Sequence, residues 1–408
     1  MTGTLTTSAA RHGLPQPAGR GTTREVLLAF LRLGLTAFGG PIAHLGYFRA
    51  EFVERRHWLD EAAYADIVAL CQVLPGPSSS QVGLLLGFRR AGLAGALAAW
   101  IGFTLPSAAA MIGFGAWMAR FGAAGHAPWL HGLKLVAVAI VAQAVWGMAR
   151  ALCPDRERAS VAVGAVLLTL ALPPQAGQLA AIALGAVAGW LVLPREAAQP
   201  GLGAVAGSGR ALAALIAYAV LLVLLPALAA ALGSHALALA GAFYRAGALV
   251  FGGGHVVLPL LHDAVVPTGW VREGDFLAGY GAVQAVPGPL FTFAAYLGAV
   301  AAPAPRGWAG GLLCLAAIYL PSVLLLAGAL PFWNALRHHA GVRAALAGVN
   351  AAVVGLLASA LYAPVWTGSV HGGADFGLVL TAFLLLTGWR MPPWLVVLGG
   401  ALAAAVLG

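Results

Sequence analysis

Charged residues are scarce in this sequence. Only 9% of its 408 residues are Asp, Glu, Lys or Arg, whereas 61% are hydrophobic. Soluble domains carry about a quarter charged residues, so this composition excludes an ordinary water-soluble chain. Apolar runs long enough to cross about 30 Å of hydrocarbon recur, among them residues 93–118, 129–148, 211–232 and 308–330. The predicted fold class is an all-α, polytopic integral membrane protein.

Cysteines and catalytic motifs are also few. The three cysteines, Cys71, Cys153 and Cys314, share no metal-ligand or redox spacing. The sequence contains no His-Glu-x-x-His, no Gly-x-x-x-x-Gly-Lys-Ser/Thr and no Gly-x-Ser-x-Gly. We therefore predict no cofactor, no metal, no enzymatic activity and no ATP-driven transport by this chain alone. The net charge of +9 resides mainly in connections between apolar spans, so membrane topology explains it better than nucleic acid does.

An eleven-residue pattern occurs twice. Phe-x-Arg-x-Gly-x-x-x-Phe-Gly-Gly spans residues 30–40 and again residues 243–253. Each copy is followed by Gln-x-x-Pro-Gly-Pro, at 72–77 and 284–289, and later by Leu-Pro-Ser, at 105–107 and 320–322. The offset between copies stays between 212 and 215 residues. A duplication that keeps glycines, prolines and one arginine predicts a site that is built twice.

The repeat divides the chain into two homologous halves, 24–194 and 236–408. A polar tail, 1–23, precedes them, and residues 195–235 form a linker with one extra membrane span. If each half crosses the membrane an even number of times, the extra span inverts the second half. On that assumption 16 of the 22 Lys and Arg residues fall on one face, 3 on the other and 3 within apolar segments. By the positive-inside rule the rich face, with the N-terminus, is cytoplasmic, and we expect the inner membrane.

Glycine and proline interrupt the repeated segments. Phe38-Gly39-Gly40-Pro41 breaks the segment 25–50, and Pro75-Gly76-Pro77 breaks the segment 62–91. Each segment is predicted to be a re-entrant hairpin of two short helices, and the alternative is one kinked span. Irregular backbone at membrane depth is tolerated only inside protein or beside a wet cavity, so the breaks predict an internal site. A helix that begins at a break directs its unpaired N–H groups into that site, which suits an anion.

The predicted substrate-binding residues are the breaks and the polar groups beside them. In the first half they are Phe38, Gly39, Gly40, Gln72, Pro75, Gly76, Pro77, Ser78, Ser79 and Ser80; in the second they are Phe251, Gly252, Gly253, Gln284, Pro287, Gly288, Pro289 and Thr292. The first copy has three hydroxyl side chains where the second copy has one, so the two half-sites should differ. The alternative is that the serines only cap a helix and that the glutamines only donate hydrogen bonds to backbone carbonyls left unpaired at the breaks.

Charged residues inside apolar segments form a second group of candidates. Arg32 and Arg245 occupy the same place in the two repeats, where a charge costs several kcal/mol unless it is paired or hydrated. A guanidinium suits a dianionic oxyanion, although either arginine could instead extend to the membrane surface. Candidates for proton or charge coupling are Asp66, His44, His255 and Lys134, the only lysine. For Lys134 and Asp66 the alternatives are extension to the surface and helix-dipole stabilisation, respectively.

These motifs together resemble the chromate ion transporter family in its long, two-domain form. In the first half the matching residues are 38–44, 55–59, 75–77 and 87–92; in the second they are 251–254, 284–289 and 296–298. The likeness covers nearly the whole chain after the first twenty residues. In place of Pro41-Ile42 the second half has Gly254-His255, so the two hairpins need not bend alike.

The resemblance implies export of chromate from the cytoplasm, which confers chromate resistance. Sulfate, a dianion chemically related to chromate, is the second expected substrate. The other expected partners are the lipid bilayer and a second copy of the chain in a homodimer. Uptake or exchange of sulfate or another oxyanion is the first alternative, because these motifs do not separate ions of equal charge and similar shape. A membrane enzyme or a subunit without transport activity is the second.

Overall fold

The computed structural model describes residues 21–121, 128–194, 209–251, 254–332 and 339–407, and this part of the chain is helical without strands. Its α-helices are α1 (Thr23–Thr36), α2 (Gly40–Phe48), α3 (Glu61–Val73), α4 (Ser78–Phe121), α5 (Pro128–Leu152), α6 (Arg156–Ala171), α7 (Pro174–Val192), α8 (Gly209–Leu232), α9 (His235–Leu249), α10 (Val257–Val265), α11 (Glu273–Val283), α12 (Phe293–Val300), α13 (Gly307–Ala329), α14 (Ala340–Ala360), α15 (Gly373–Thr387) and α16 (Pro393–Leu407). Five helical stretches are long and apolar enough to cross a membrane: Ser78–Arg120, Pro128–Leu152, Gly209–Leu232, Gly307–Ala329 and Ala340–Trp366. The prediction of an all-α, polytopic membrane protein is confirmed.

Local sequence explains where several helices begin. Thr22, Asp60, Asp155 and Ser234 precede α1, α3, α6 and α9, and each side-chain oxygen accepts a hydrogen bond from a backbone N–H in the first turn. Such a cap satisfies a donor that has no partner within the helix and contributes about 1 kcal/mol. These caps fix the starts of helices whose apolar faces then pack together.

The helix breaks lie where glycine and proline predict them. α1 ends at Thr36 and α2 begins at Gly40, while α3 ends at Val73 and α4 begins at Ser78. Each interrupted segment is therefore two helices rather than one kinked helix. The backbone of α4 is also non-helical at Ala91 and Gly92, so α4 consists of a short helix, 78–90, and a long one, 93–121.

The order of helices repeats along the chain. The repeat offset pairs α1 with α9, α2 with α10, α3 with α11, α5 with α14, α6 with α15 and α7 with α16. The two parts of α4 correspond to α12 and α13, and α8 lies between the halves. A π-helical turn, Arg49–Arg55, follows α2, and 3₁₀ turns, Gly254–Val256 and Leu290–Thr292, precede α10 and α12. The duplication visible in the motifs thus extends to the elements between them.

Apart from α8, which packs against α9 and α13, the described helices fall by their contacts into two groups, each built from both halves. We call α1–α4 with α9–α13 the central bundle, and α5–α7 with α14–α16 the frame. Within the frame the halves exchange helices: α5 packs against α15 and α16, whereas α14 packs against α6 and α7. Glycines permit these close contacts, since a Cβ on Gly132 of α5 would meet the carbonyl oxygen of Gly400, and one on Gly185 of α7 would meet that of Gly348. The two contacts occupy equivalent positions in the repeat, so the exchange is symmetric.

Candidate anion site

Each Pro-Gly-Pro break is hydrogen-bonded to the other half of the protein. The backbone N–H of Gly76 donates to the carbonyl oxygen of Val250 at 2.7 Å, and that of Gly288 donates to Ala37 at 2.9 Å. Gly76 corresponds to Gly288, and Ala37 corresponds to Val250, in the repeat. Both carbonyls immediately precede a Phe-Gly-Gly motif. The four breaks therefore meet as two reciprocal pairs, each of which joins the two halves.

The repeated Leu-Pro-Ser motifs complete the same contacts. Ser107 lies against Gly288, where a Cβ on the glycine would be 2.7 Å from the serine oxygen, and Ser322 lies against Gly76 in the same way. Both serines are fully buried. Gly76 and Gly288 have φ values of 124° and 108°, a backbone conformation that favours glycine. At each break one glycine is thus required for two reasons: its backbone has a positive φ, and a Cβ would clash with the neighbouring serine.

Equivalent positions of the two repeats also lie close together. Pro41 lies against Gly254, whose added Cβ would be 3.4 Å from the proline Cγ, and the two positions correspond in the repeat. Equivalent positions meet only on the symmetry axis of an isologous contact. Together with the reciprocal bonds, this proximity makes the contacts between the two halves reciprocal at the breaks.

A cavity of about 300 Å³, which we call the α4 cavity, lies where the central bundle meets the frame beside the first pair of breaks. It is lined by Pro41, Leu45, Cys71, Gln72, Leu74, Gly76, Ser78, Gly147, Met148, Ala151, Leu152 and Asn350. Its polar side chains are Gln72, Ser78 and Asn350, and its lining contains no acid, arginine or lysine. Ser78 starts α4 and Pro41 lies in the first turn of α2. The N-terminal ends of α2 and α4 therefore line this small cavity together with the C-terminal ends of α3, at Gln72, and of α5, at Leu152.

The three consecutive serines take different directions. Ser78 lines the α4 cavity, Ser79 lies 3.4 Å from the Nδ1 atom of His44, and Ser80 lies 3.3 Å from the hydroxyl oxygen of Tyr319 in the other half. The next residue, Gln81, donates from its side chain to the carbonyl oxygen of Pro75 at 2.8 Å. A glutamine side chain does hydrogen-bond the backbone at the break, but this residue is Gln81. Gln72, for which that role was the alternative, lines the cavity instead.

The second copy of the break is built from different side chains. Leu290 stands in place of Ser78, and the hydroxyl of Thr292 donates back to the carbonyl oxygen of Pro289 at 2.9 Å. The Nδ1 atom of His255 lies 2.9 Å from the Tyr280 hydroxyl, and the side-chain nitrogen of Gln284 is buried without a hydrogen-bond partner among the described residues. Phe251 is partly buried, whereas Gly252 and Gly253 lie outside the described residues. The two breaks accordingly present unlike chemistry.

The repeated arginines lie away from the α4 cavity. Arg32 is exposed on α1, and Arg245 lines a separate groove of about 530 Å³ between α8 and α9. The phenylalanine and glycine on either side of each arginine are repeated because they pack inside the protein. Phe30 and Phe243 are completely buried, and a Cβ on Gly34 or Gly247 would meet the backbone of α4 or α13, respectively. The structure does not bring the two arginines to the breaks.

The predicted coupling residues are dispersed. His44 is fully buried with its Nε2 atom unpartnered among the described residues, whereas Asp66 is partly exposed on α3. Lys134 lies beside the first turn of α11, with its Nζ atom 3.1 Å from the position of a Cβ on Gly274. These side chains lie on separate helices and do not form one cluster around the α4 cavity.

A second polar cluster lies apart from the α4 cavity. A cavity of about 280 Å³, the α10 cavity, contains His262 and Asp263 of α10 and Gln178 of α7. The Gln178 amide donates to the Asp263 carboxylate, and the His262 Nδ1 atom lies 3.2 Å from that carboxylate. Asp263 is not among the predicted site residues, because the two turns of α10 are too short to show a helical period in the sequence. Like the α4 cavity, this one lies between central bundle and frame.

Long apolar helices, broken helices whose ends converge, and internal cavities define a multi-pass membrane protein, and the comparisons with known proteins make it a membrane transporter. The chain belongs to the chromate transporter family, whose pattern matches residues 24–190 and 237–405. It is 26% identical to the chromate transport protein of Cupriavidus metallidurans over 94% of this chain and 93% of that protein. It is 29% identical to the chromate transport protein of Pseudomonas aeruginosa over 86% and 82% of the two chains.

Further relatives extend the comparison. The chain is 28% identical to the probable chromate transport protein of Synechococcus elongatus over 94% of this chain and 95% of that protein. No solved structure matches the chain. The resemblance inferred from the motifs is therefore confirmed at the level of the family, across both halves.

Proposed function

We propose that this protein exports chromate from the cytoplasm across the inner membrane and thereby confers chromate resistance. The observation that carries the proposal is the α4 cavity, where the first turns of α2 and α4 meet the side chains of Gln72, Ser78 and Asn350. We assign chromate as the substrate because relatives of this chain are named chromate transport proteins.

The cavity chemistry suits a dianion that must also leave. The starts of α2 and α4 carry partial positive charge and offer N–H groups to an anion, whereas the ends of α3 and α5 in the same lining carry partial negative charge, so the neutral donors must contribute much of the binding. Neutral hydroxyl and amide donors add hydrogen bonds without fixing a permanent ion pair. A transport site must bind strongly enough for entry and weakly enough for release, as in ion pathways generally. Within this proposal Phe38, Gly39, Gly40, Pro75 and Pro77 hold the breaks in shape.

The second half supplies the complementary part of the path. Phe251, Gly252, Gly253, Gln284, Pro287, Gly288, Pro289 and Thr292 form the equivalent breaks, and His44 and His255 lie beside them as candidates for charge coupling. Arg32 and Arg245 add positive charge along α1 and α9, which acts on the anion over a distance. Asp66 and Lys134 remain candidates for coupling farther from the cavity.

The arrangement also supplies a route for alternating access. We infer that the halves are inverted, because α8 adds one span between them and basic residues concentrate on one face. The α4 cavity lies at the C-terminal end of α5, and the α10 cavity lies at the C-terminal end of the equivalent helix α14. Inverted halves would open these two cavities to opposite sides. Rocking of the central bundle against the frame would then expose the site alternately.

Flux of radiolabelled chromate and sulfate into inside-out vesicles, with and without an imposed pH gradient, tests this proposal. Export predicts chromate accumulation inside these vesicles, above that of vesicles without the protein. Sulfate accumulation in place of chromate would establish the alternative substrate, and accumulation in right-side-out vesicles alone would establish uptake. Failure of the purified protein in liposomes to move any oxyanion would revive a role without transport.

A further inference from the structure

A cluster of metal-binding side chains lies in the frame, apart from both cavities. It consists of His131 on α5, His371 in the connection before α15, and Asp375 in the first turn of α15. Their ligand atoms all lie within 4.8 Å of one another. The His131 Nε2 atom is 2.7 Å from one carboxylate oxygen of Asp375, and the His371 Nδ1 atom is 3.9 Å from the other.

Hydrogen bonding accounts for only part of this cluster. The Asp375 carboxylate accepts a hydrogen bond from the backbone N–H of His371 at 2.9 Å, which caps the start of α15, and it contacts the His131 ring. The imidazole of His371 takes no part in the cap, and its side chain is 66% exposed. Nevertheless it directs a nitrogen toward the same carboxylate. Two imidazoles thus direct a nitrogen atom toward one carboxylate.

The spacing suits a transition metal. Zinc binds imidazole nitrogen and carboxylate oxygen at about 2.0–2.2 Å, so neighbouring donors in a tetrahedral site lie about 3.3 Å apart. To reach that spacing the His131 and Asp375 donors, 2.7 Å apart, must separate by about 0.6 Å and the exposed His371 ring must turn inward. Two imidazoles and one carboxylate favour zinc, nickel, cobalt or copper over magnesium or calcium, which prefer oxygen ligands. A fourth position stays open to water.

The cluster is specific to one side of the pseudo-symmetric frame. Gly132 corresponds to Gly348, so the position equivalent to His131 is Ala347. The ligands also come from both halves, because α5 belongs to the first and α15 to the second. We propose that His131, His371 and Asp375 bind one divalent transition-metal ion, with zinc as the best match, and that the metal clamps α5 to α15. This inference does not depend on the transported substrate.

Zinc titration of the full-length, untagged protein in nanodiscs tests the proposal, by calorimetry and by thermal unfolding with and without zinc. We expect one saturable site in the wild type and a higher Tm with zinc. His131→Ala and His371→Ala should weaken zinc binding by about tenfold or more and abolish the Tm increase. His57→Ala, which removes an exposed histidine elsewhere, should leave the zinc affinity and the zinc-induced Tm increase unchanged.

The His371→Ala variant separates metal binding from the helix cap. Its backbone N–H still donates to Asp375, so the variant keeps the cap and loses only the imidazole. Zinc affinity equal to that of the wild type in His371→Ala, or no saturable zinc binding in the wild type, would overturn the proposal. Chromate flux is not a readout here, so failure of the proposed function would leave this test intact.

Discussion

The backbone N–H of Gly76 donates to the carbonyl oxygen of Val250, which lies in the other half of the chain, at 2.7 Å. The equivalent bond, from Gly288 to Ala37, measures 2.9 Å. The broken helices of each half are thus held by the other half. Neither half satisfies the backbone of its breaks alone, which gives a physical reason why both copies within this chain have glycine and proline there.

Replacing Gly76 by alanine should destabilise the protein. The new Cβ would clash with Ser322, and the φ of 124° is strained for alanine, at a cost of about 1–3 kcal/mol. Thermal unfolding in detergent measures the loss. Gly113→Ala is the matched control, because a Cβ there meets no atom within 4 Å and the residue lies within helix α4. Equal unfolding temperatures for the two variants would contradict the role of Gly76.

Removing the Asp263 carboxylate should also destabilise the protein. Asp263→Leu leaves Gln178 and His262 without their shared partner, and an unsatisfied buried polar group costs about 1–3 kcal/mol. Asp263→Asn can still accept the Gln178 amide and should cost less. The free energy of unfolding of the two variants gives the comparison. A milder effect of leucine than of asparagine would argue against the bridge between central bundle and frame.

Neutralising the repeated arginines should slow transport without abolishing it. Arg32 and Arg245 lie outside the α4 cavity, so their charges act on chromate through a field that salt screens within about 10 Å at 0.1 M ionic strength. Arg32→Gln and Arg245→Gln should lower chromate flux by up to about tenfold at low ionic strength, and by less at high ionic strength. A complete loss at every salt concentration would instead place an arginine in direct contact with substrate.

Cys153 reports the orientation of the chain in the membrane. Cys71 and Cys314 are buried, whereas Cys153 is partly exposed in the connection between α5 and α6. We expect a membrane-impermeant maleimide to label Cys153 in inside-out vesicles and not in intact cells. Burial, and then the neighbouring Asp155 carboxylate, raise the pKa of the Cys153 thiol above its usual value.

The raised pKa sets the pH dependence of that labelling. The thiolate is the reactive form, so a raised pKa lowers the thiolate fraction at neutral pH and the labelling rate should increase as the pH rises. Cys153→Ser is the control and should remove the signal. Labelling of intact cells would reverse the assigned topology.

The sequence predicted the helix breaks well because glycine and proline act on the backbone where they stand. Gly39, Gly40 and the Pro-Gly-Pro motifs therefore located the ends of α1 and α3 without any knowledge of tertiary structure. The contact between Gly76 and Val250 was beyond that reasoning, because it joins residues 174 positions apart. The reciprocal contacts between the halves become visible only in the arrangement of the helices in space.

The motif that contains Arg32 shows the opposite case. Its arginine stood out because charge is rare, yet Phe30 and Gly34 are the residues that the structure packs, against Phe52 and the backbone of α4. Repetition of a motif does not say which of its residues contact substrate. Similarly, His131 and Asp375 are 244 residues apart, so no local spacing could reveal them as neighbours.

The most direct test of the proposed anion site exchanges one residue between the repeats. Ser78→Leu gives the first break the leucine found at the equivalent position of the second, and Leu290→Ser makes the reverse change as its control. Initial chromate flux is measured in inside-out vesicles that contain equal amounts of each folded protein. We predict that Ser78→Leu lowers flux by about tenfold or more, because it removes a donor and fills the α4 cavity, whereas Leu290→Ser keeps most of it. Wild-type flux in Ser78→Leu would contradict the assignment of the α4 cavity as the chromate site.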